Sequence, residues 1–275
     1  MPRNAPLTAR AQDPNASLPF IRPILQALRC AWVVCCGLPP ACVAHDCLVA
    51  LRRAEVGSQS TVLGFVGTPW TLAAYAVEGG SDKNCTRTKA LMTHQPAVLH
   101  ALLSHLADAL GAYAAHQVDA GAQVVQLFDS WAHHLSPAQF REYSLPYAER
   151  VMAAVRARHP NVPLIFHANG SAGKERSLVG CSANVIGLDW ATDMHEARMV
   201  FGASATLQGN VDPQLLFGPE AVIRDAVKSC VASAGRHHIL NVGHGVAQGT
   251  PEESVALFCE LARAARYDTA PAAAR

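Results

Sequence analysis

The chain has 275 residues, 50% of them hydrophobic and 16% charged, enough apolar material for one large core. Its 22 basic and 21 acidic residues leave a formal net charge of +1. That balance offers no basic field to a nucleic-acid backbone, while leaving room for a locally positive pocket that takes an acidic small molecule.

Near the start, residues 31–44 read AWVVCCGLPPACVA. This run is too short to span a membrane, and Gly37, Pro39 and Pro40 break it, so no membrane partner is expected. It also begins too far in for an ordinary secretory signal. The first residues, MPRNAPLTARAQ, are basic and free of acids as transit peptides are, but very short. Five of the nine cysteines (Cys30, Cys35, Cys36, Cys42 and Cys47) crowd one window, and Cys85, Cys181, Cys230 and Cys259 are scattered. An odd count in so large a chain does not suggest a secreted disulfide framework; a reducing compartment fits better. The crowded window contains no C-x2-C pair, which argues against a zinc site.

From Thr61 onward short apolar runs alternate with longer helical patterns. Strands are expected over Thr61–Gly67, Ala122–Phe128, Val162–His167, Asn184–Trp190, Ser204–Gly209 and His238–Val242. Each is nearly continuous in hydrophobicity, as strands buried on both faces are. Between them, Pro96–Asp119 carries Leu99, Leu102, Leu103, Leu106, Leu110 and Tyr113 at helical spacing. Ser136-Pro137 supplies a capping hydroxyl and a first-turn proline for a helix running to about Arg158. Further helices fit Asp193–Phe201, Pro219–Ala234 and Pro251–Arg266. Strand–helix alternation of this kind predicts an α/β fold with parallel strands and right-handed crossovers. No GxGxxG follows the first strand and no Walker-type loop is present, which disfavours an open nucleotide-binding sheet.

Polar groups stand at the C-terminal ends of these strands: Thr68, Asp129-Ser130, His167 with Asn169, Asp189, Asn210 with Asp212, and Asn241 with His244. In a parallel barrel such ends converge on one mouth, the usual place for an active site. Asp129 and Asp189 are expected to organise loops rather than to react. Histidines other than His244, including His133 and His134, are expected to be solvated or structural.

Five segments in order carry a specific resemblance: GFVGTPWTLAAYAVEGGS (64–81), GAQVVQLFDSWAHHLSPAQFREYSLPY (121–147), VIGLDWATD (185–193), LQGNVDP (207–213) and NVGHG (241–245). The chain resembles the uroporphyrinogen decarboxylase family, strongly over Val56–Arg266 and weakly over Asp13–Arg29. The resemblance implies a TIM-type (β/α)8 barrel, and the six strands seen here fall two short of it. It assigns the shortfall to the family's first two strands, which bring an arginine-rich loop of the form RQAGRY and an aspartate in a segment like FSDIL. Neither occurs here, and Arg10, Arg22 and Arg29 take no such role. A helix over 13–29, an insertion over 30–54, a barrel domain over 55–268 and a disordered tail over 269–275 are the expected divisions.

The implied activity is cofactor-free and metal-free conversion of uroporphyrinogen III to coproporphyrinogen III, four acetates becoming methyls with release of carbon dioxide. By motif position Tyr75 and His244 are the expected catalytic residues, and Tyr75, Phe128, Ser130 and His244 the expected substrate contacts. The resemblance further implies a homodimer, in a chloroplast or alternatively in the cytoplasm. Two other readings stay open: a catalytically impaired fragment, and a related zinc- and cobamide-dependent methyltransferase. The second is disfavoured because His167-Ala168-Asn169 lacks the cysteine such a zinc site needs.

Overall fold

The computed structural model describes residues 60–80 and 82–267, together with 49, 53–55 and 57. The expected helix over 13–29, the cysteine cluster and the tail lie outside the described residues.

Six parallel strands form one sheet in sequence order: β1 (Leu63–Gly67), β2 (Val124–Asp129), β3 (Leu164–Ala168), β4 (Val185–Gly187), β5 (Thr206–Val211) and β6 (His238–Val242). All six expected strands are present. Among the described residues β1 and β6 each have a single neighbour, so the barrel-type sheet is not closed. Sequential parallel neighbours require a crossover after every strand, and helices fill that role. These are α1 (Pro69–Glu78), α2 (Thr86–His94), α3 (Pro96–Asp119), α4 (Leu145–Arg158), α5 (Glu175–Leu178), α6 (Met194–Phe201), α7 (Glu220–Ala234) and α8 (Glu252–Ala264).

α3 has the expected bounds, with Pro96 in its first turn. Leu99, Leu102, Leu103 and Leu106 are almost fully buried, each contributing roughly 1.5–3 kcal/mol. By length and composition α3 is apolar enough to cross a membrane. Here its apolar stripe packs on α4, α1 and the sheet, as a core helix does.

The expected helix from Ser136 to Arg158 is interrupted. Ser136 caps a short turn at Pro137–Gln139 through a complete capping box. Then Phe140–Ser144 is a π-helical turn, whose widened ring is closed by the Leu145 N–H donating to the Phe140 carbonyl. Pro146 explains the break: it has no N–H for the carbonyl four residues back, and its ring crowds that position. The wide turn brings Ser144 inward against the end of β2.

Candidate active site

The strand ends converge as their order demands. A cavity of about 340 Å³ is lined by Gln126, Phe128 and Ser130 of β2 and its loop, His167 and Asn169 of β3, Leu188 after β4, Gln208 of β5, and Asn241, Val242, His244, Gly245 and Val246 at β6. A second space of about 430 Å³ adjoins it through the shared His244–Val246 wall and reaches Trp190, Asp212, Pro213 and Gln214. Among the described residues the first cavity has no carboxylate in its lining. Two imidazoles, four amides and a hydroxyl face a space whose remaining walls are apolar. Such a lining suits an anionic ligand with an apolar body.

Three of the four expected site residues meet here. Phe128 stands on β2 with its ring edge-on to Phe65 at 6.3 Å and to His167 at 5.9 Å. Ser130 is half-buried, and among the described residues its hydroxyl has no hydrogen-bond partner. Its carbonyl accepts from Asn169 Nδ2 at 3.1 Å, which fixes the β2 and β3 loops together. His244 is exposed at the wall between the two spaces. Gly243 makes that placement possible, because a Cβ there would collide with the Trp190 backbone nitrogen. With only hydrogen in that place, the β6 loop rests on the β4 loop and carries His244 to the mouth.

Tyr75 is not among the lining residues. It lies on α1, 43% exposed, with its ring against Trp131 at 4.9 Å. Trp131 is held through its backbone: the Trp70 Nε1–H donates to the Trp131 carbonyl at 3.0 Å. Tyr75 thus flanks the β2 end from the β1 side, one aromatic ring away from Ser130.

Asp129 and Asp189 organise loops. Asp129 is fully buried; it accepts from Thr68 Oγ1 at 2.8 Å, Thr71 Oγ1 at 2.9 Å and the Ser144 hydroxyl. Desolvation pushes its carboxyl above the usual carboxylate range, opposed by those three hydroxyls and by the charge of Lys174. Asp189 accepts from the Ser171, Ala191 and Thr192 backbone N–H groups and from Thr192 Oγ1. Glu78, at the end of α1, accepts from the Thr88 backbone and hydroxyl, and so tethers α2.

His167, among the histidines expected to be solvated or structural, is buried and lines the cavity. It lies in the cavity floor, and desolvation lowers its pKa to about 4. Register explains its position: Phe128, His167, Gly187 and Gln208 form one row across four strands. A Cβ on Gly187 would fall 2.9 Å from the His167 Cβ and 3.0 Å from Nδ1, so the missing side chain is the space the imidazole occupies.

The family model for uroporphyrinogen decarboxylase matches residues 45–265. The chain belongs to the uroporphyrinogen decarboxylase family. It is 46% identical over 255 residues to the uroporphyrinogen decarboxylase of Crocosphaera subtropica, covering 92% of this chain and 65% of that protein. The Trichormus variabilis enzyme is 45% identical over 268 residues, 94% of this chain and 70% of its own length. Uroporphyrinogen decarboxylase 2, chloroplastic, of Arabidopsis thaliana is 50% identical over 221 residues, 79% of this chain and 56% of its own. The chain therefore spans 56% to 70% of the length of these relatives. Among solved structures, a methyltransferase from Methanosarcina mazei superposes with a TM-score of 0.68 at 22% identity, covering 78% of this chain and 62% of that one. That likeness concerns the barrel fold alone. For a uroporphyrinogen decarboxylase family member, the strand-end cavity is in the place a barrel fold reserves for chemistry.

Proposed function

We propose that the chain binds uroporphyrinogen III and decarboxylates its four acetate side chains, releasing coproporphyrinogen III. The observation that carries this reading is the strand-end cavity where Phe128, Ser130 and His244 meet, in a chain of this family. Each decarboxylation breaks the bond between the methylene and the carboxylate carbon. Carbon dioxide leaves, and the methylene carbon gains one proton to become a methyl. Protonating the pyrrole first gives the departing electron pair somewhere to go, so the site needs proton donors beside an apolar ring and partners for carboxylates. Phe128 packs against the macrocycle, Ser130 donates to a carboxylate, and His244 binds a carboxylate or holds the proton. Tyr75 acts from the β1 side with its phenol, which makes no hydrogen bond among the described residues. No cofactor or metal takes part in this scheme. The protein works as a homodimer, in a chloroplast, with the cytoplasm as the alternative; the Arabidopsis relative's chloroplastic name supports the first.

The test is anaerobic turnover of uroporphyrinogen III by this exact chain, following coproporphyrinogen III. Tyr75→Phe and His244→Asn are each expected to lower the rate by at least about 100-fold. Turnover unchanged in both variants would sink the assignment of the site.

A second reading, a catalytically impaired protein, has its own observation. Both β1 and β6 are sheet edges among the described residues, and the inward Leu63, Phe65 and Ile239 are 41%, 59% and 42% exposed. A broad, dye-binding melt with no turnover supports that reading, and a single cooperative transition opposes it.

A further inference from the structure

His167 stands outside every segment that carries the family resemblance, yet it is the buried one of the two imidazoles lining the cavity. A structural histidine so deeply placed ordinarily has its polar atoms tied to protein groups. Here the ring is 8% exposed, and among the described residues no side chain hydrogen-bonds it. The backbone of Gly187 hydrogen-bonds one edge of the ring and favours its protonated form. The described side-chain atoms that are sealed from solvent without a partner are His105 Nε2 and Arg156 Nε, so neither nitrogen of His167 is in that state. Its remaining polar edge therefore opens on the cavity.

We propose that His167 is a substrate-contacting residue on the cavity floor, hydrogen-bonding a carboxylate of the bound tetrapyrrole in the same register row as Phe128 and Gln208. This inference rests on the decarboxylase reading and extends it to a residue no motif marks. Geometry carries it. In the row Phe128–His167–Gly187–Gln208, an aromatic wall stands on one side and an amide on the other, with the imidazole leaning into the gap that Gly187 leaves. A face of the tetrapyrrole fits against Phe128 while its short acidic arms reach the polar members of the row.

The charges around His167 make the contact proton-coupled. Asp189, beyond the end of β4, raises its pKa, and His244, from the β6 loop, lowers it. From β2 and β5 the facing groups are Phe128, Gln126 and Gln208, none of them charged. Asp189 is already occupied by three backbone N–H groups and the Thr192 hydroxyl. Burial keeps the empty-site imidazole neutral at pH 7. A carboxylate entering the row adds the opposite charge that favours the protonated ring, so the complex draws up to about half a proton from solvent at pH 7 as it forms. That proton then sits beside the substrate, where each decarboxylation consumes one.

Isothermal titration of the full chain with uroporphyrin III, the stable oxidised octacarboxylate, tests this at pH 7 in buffers of different ionisation enthalpy. The native chain is expected to take up as much as about half a proton more than His167→Gln, which binds about 10-fold more weakly. His167→Phe should behave like His167→Gln in proton count. Equal affinity and equal uptake in native and both variants would overturn the role of His167 and leave the decarboxylase reading standing. Failure of the native chain to bind uroporphyrin overturns this proposal, and failure also to turn over uroporphyrinogen III overturns the decarboxylase reading with it. If neither variant folds, the native count decides alone, and the absence of any net proton uptake overturns the proposal.

Discussion

Replacing Asp129 by alanine separates a loop-organising carboxylate from a reacting one. The side chain is fully buried and is the common acceptor for Thr68, Thr71 and Ser144, which belong to the β1–α1 turn, α1 and the π-helical turn. Deleting it leaves three buried hydroxyls without an acceptor, each costing roughly 1–3 kcal/mol. Thr68 and Thr71 keep one another partly satisfied, since the Thr71 backbone N–H donates to Thr68 Oγ1 at 3.3 Å. Burial holds the carboxyl toward its neutral form, so little charge desolvation is recovered on deletion. The expected loss is about 4 kcal/mol, or roughly 8–16 °C in Tm for a domain of this size. Asp129→Asn retains an oxygen for both threonines and is expected to cost about 1 kcal/mol. The pH dependence follows from the raised carboxyl. Its neutral form stabilises the fold below the unfolded value of about 3.9, and this is lost as pH rises through the folded value. The native chain should therefore fall behind Asp129→Asn as pH rises above about 4. Thermal and urea melts across pH 4–8 provide the assay. An alanine variant within about 1 kcal/mol of native would refute the reasoning.

Other consequences are equally measurable. The Arg198 guanidinium donates to the carbonyls of Gly202, Ala205, Ala234 and His237, stapling the starts of β5 and β6 to α6 and α7. Arg198→Ala should lower stability by about 2 kcal/mol, seen as a lower urea midpoint at unchanged slope. Gly187→Ala pushes a methyl into the His167 ring, and both a loss of about 1–3 kcal/mol and weaker uroporphyrin binding are expected from melts and titration. The lowered pKa of His167 means the unfolded chain binds a proton that the folded chain refuses between about pH 6.5 and pH 4. Stability should fall with falling pH in that window by up to about 1.4 kcal/mol per unit from this group, a slope that His167→Gln removes.

Much of the fold was legible because its signals were local. Pro96 opens α3 and the helical leucine spacing carries it to Asp119, so both ends were readable. β4 was not: hydrophobicity runs on through Leu188, while the ladder stops at Gly187. The reason lies in side chains far apart in sequence, since Asp189 gathers the N–H groups of Ser171, Ala191 and Thr192 into a loop. The π-helical turn was hidden because Pro146 is tolerated near a helix start, and only the path of Ser144 toward Asp129 shows that the turn before it widens. In the site, the glycines of NVGHG made His244 conspicuous. His167 was not, because β3 is buried on both faces, and a run of LIFHA has no alternation to show which residues face inward. The PWTLAAY segment pointed to Tyr75, but its seat on Trp131, outside the cavity lining, depends on a tertiary contact no local pattern encodes.

The two unshared strand edges bear on how the protein behaves in bulk. Among the described residues each of β1 and β6 has an outer side that no strand covers; the Gln117 amide caps the Phe65 N–H and carbonyl on β1, and Phe65 and Ile239 stand exposed beside the two edges. A chain with a net charge of +1 has almost no long-range repulsion to keep such edges apart. Whatever occupies them in solution, another stretch of polypeptide or a second molecule, therefore sets the solubility ceiling. Expression level, salt and storage concentration then become structural variables for this protein, acting through two strands at the rim.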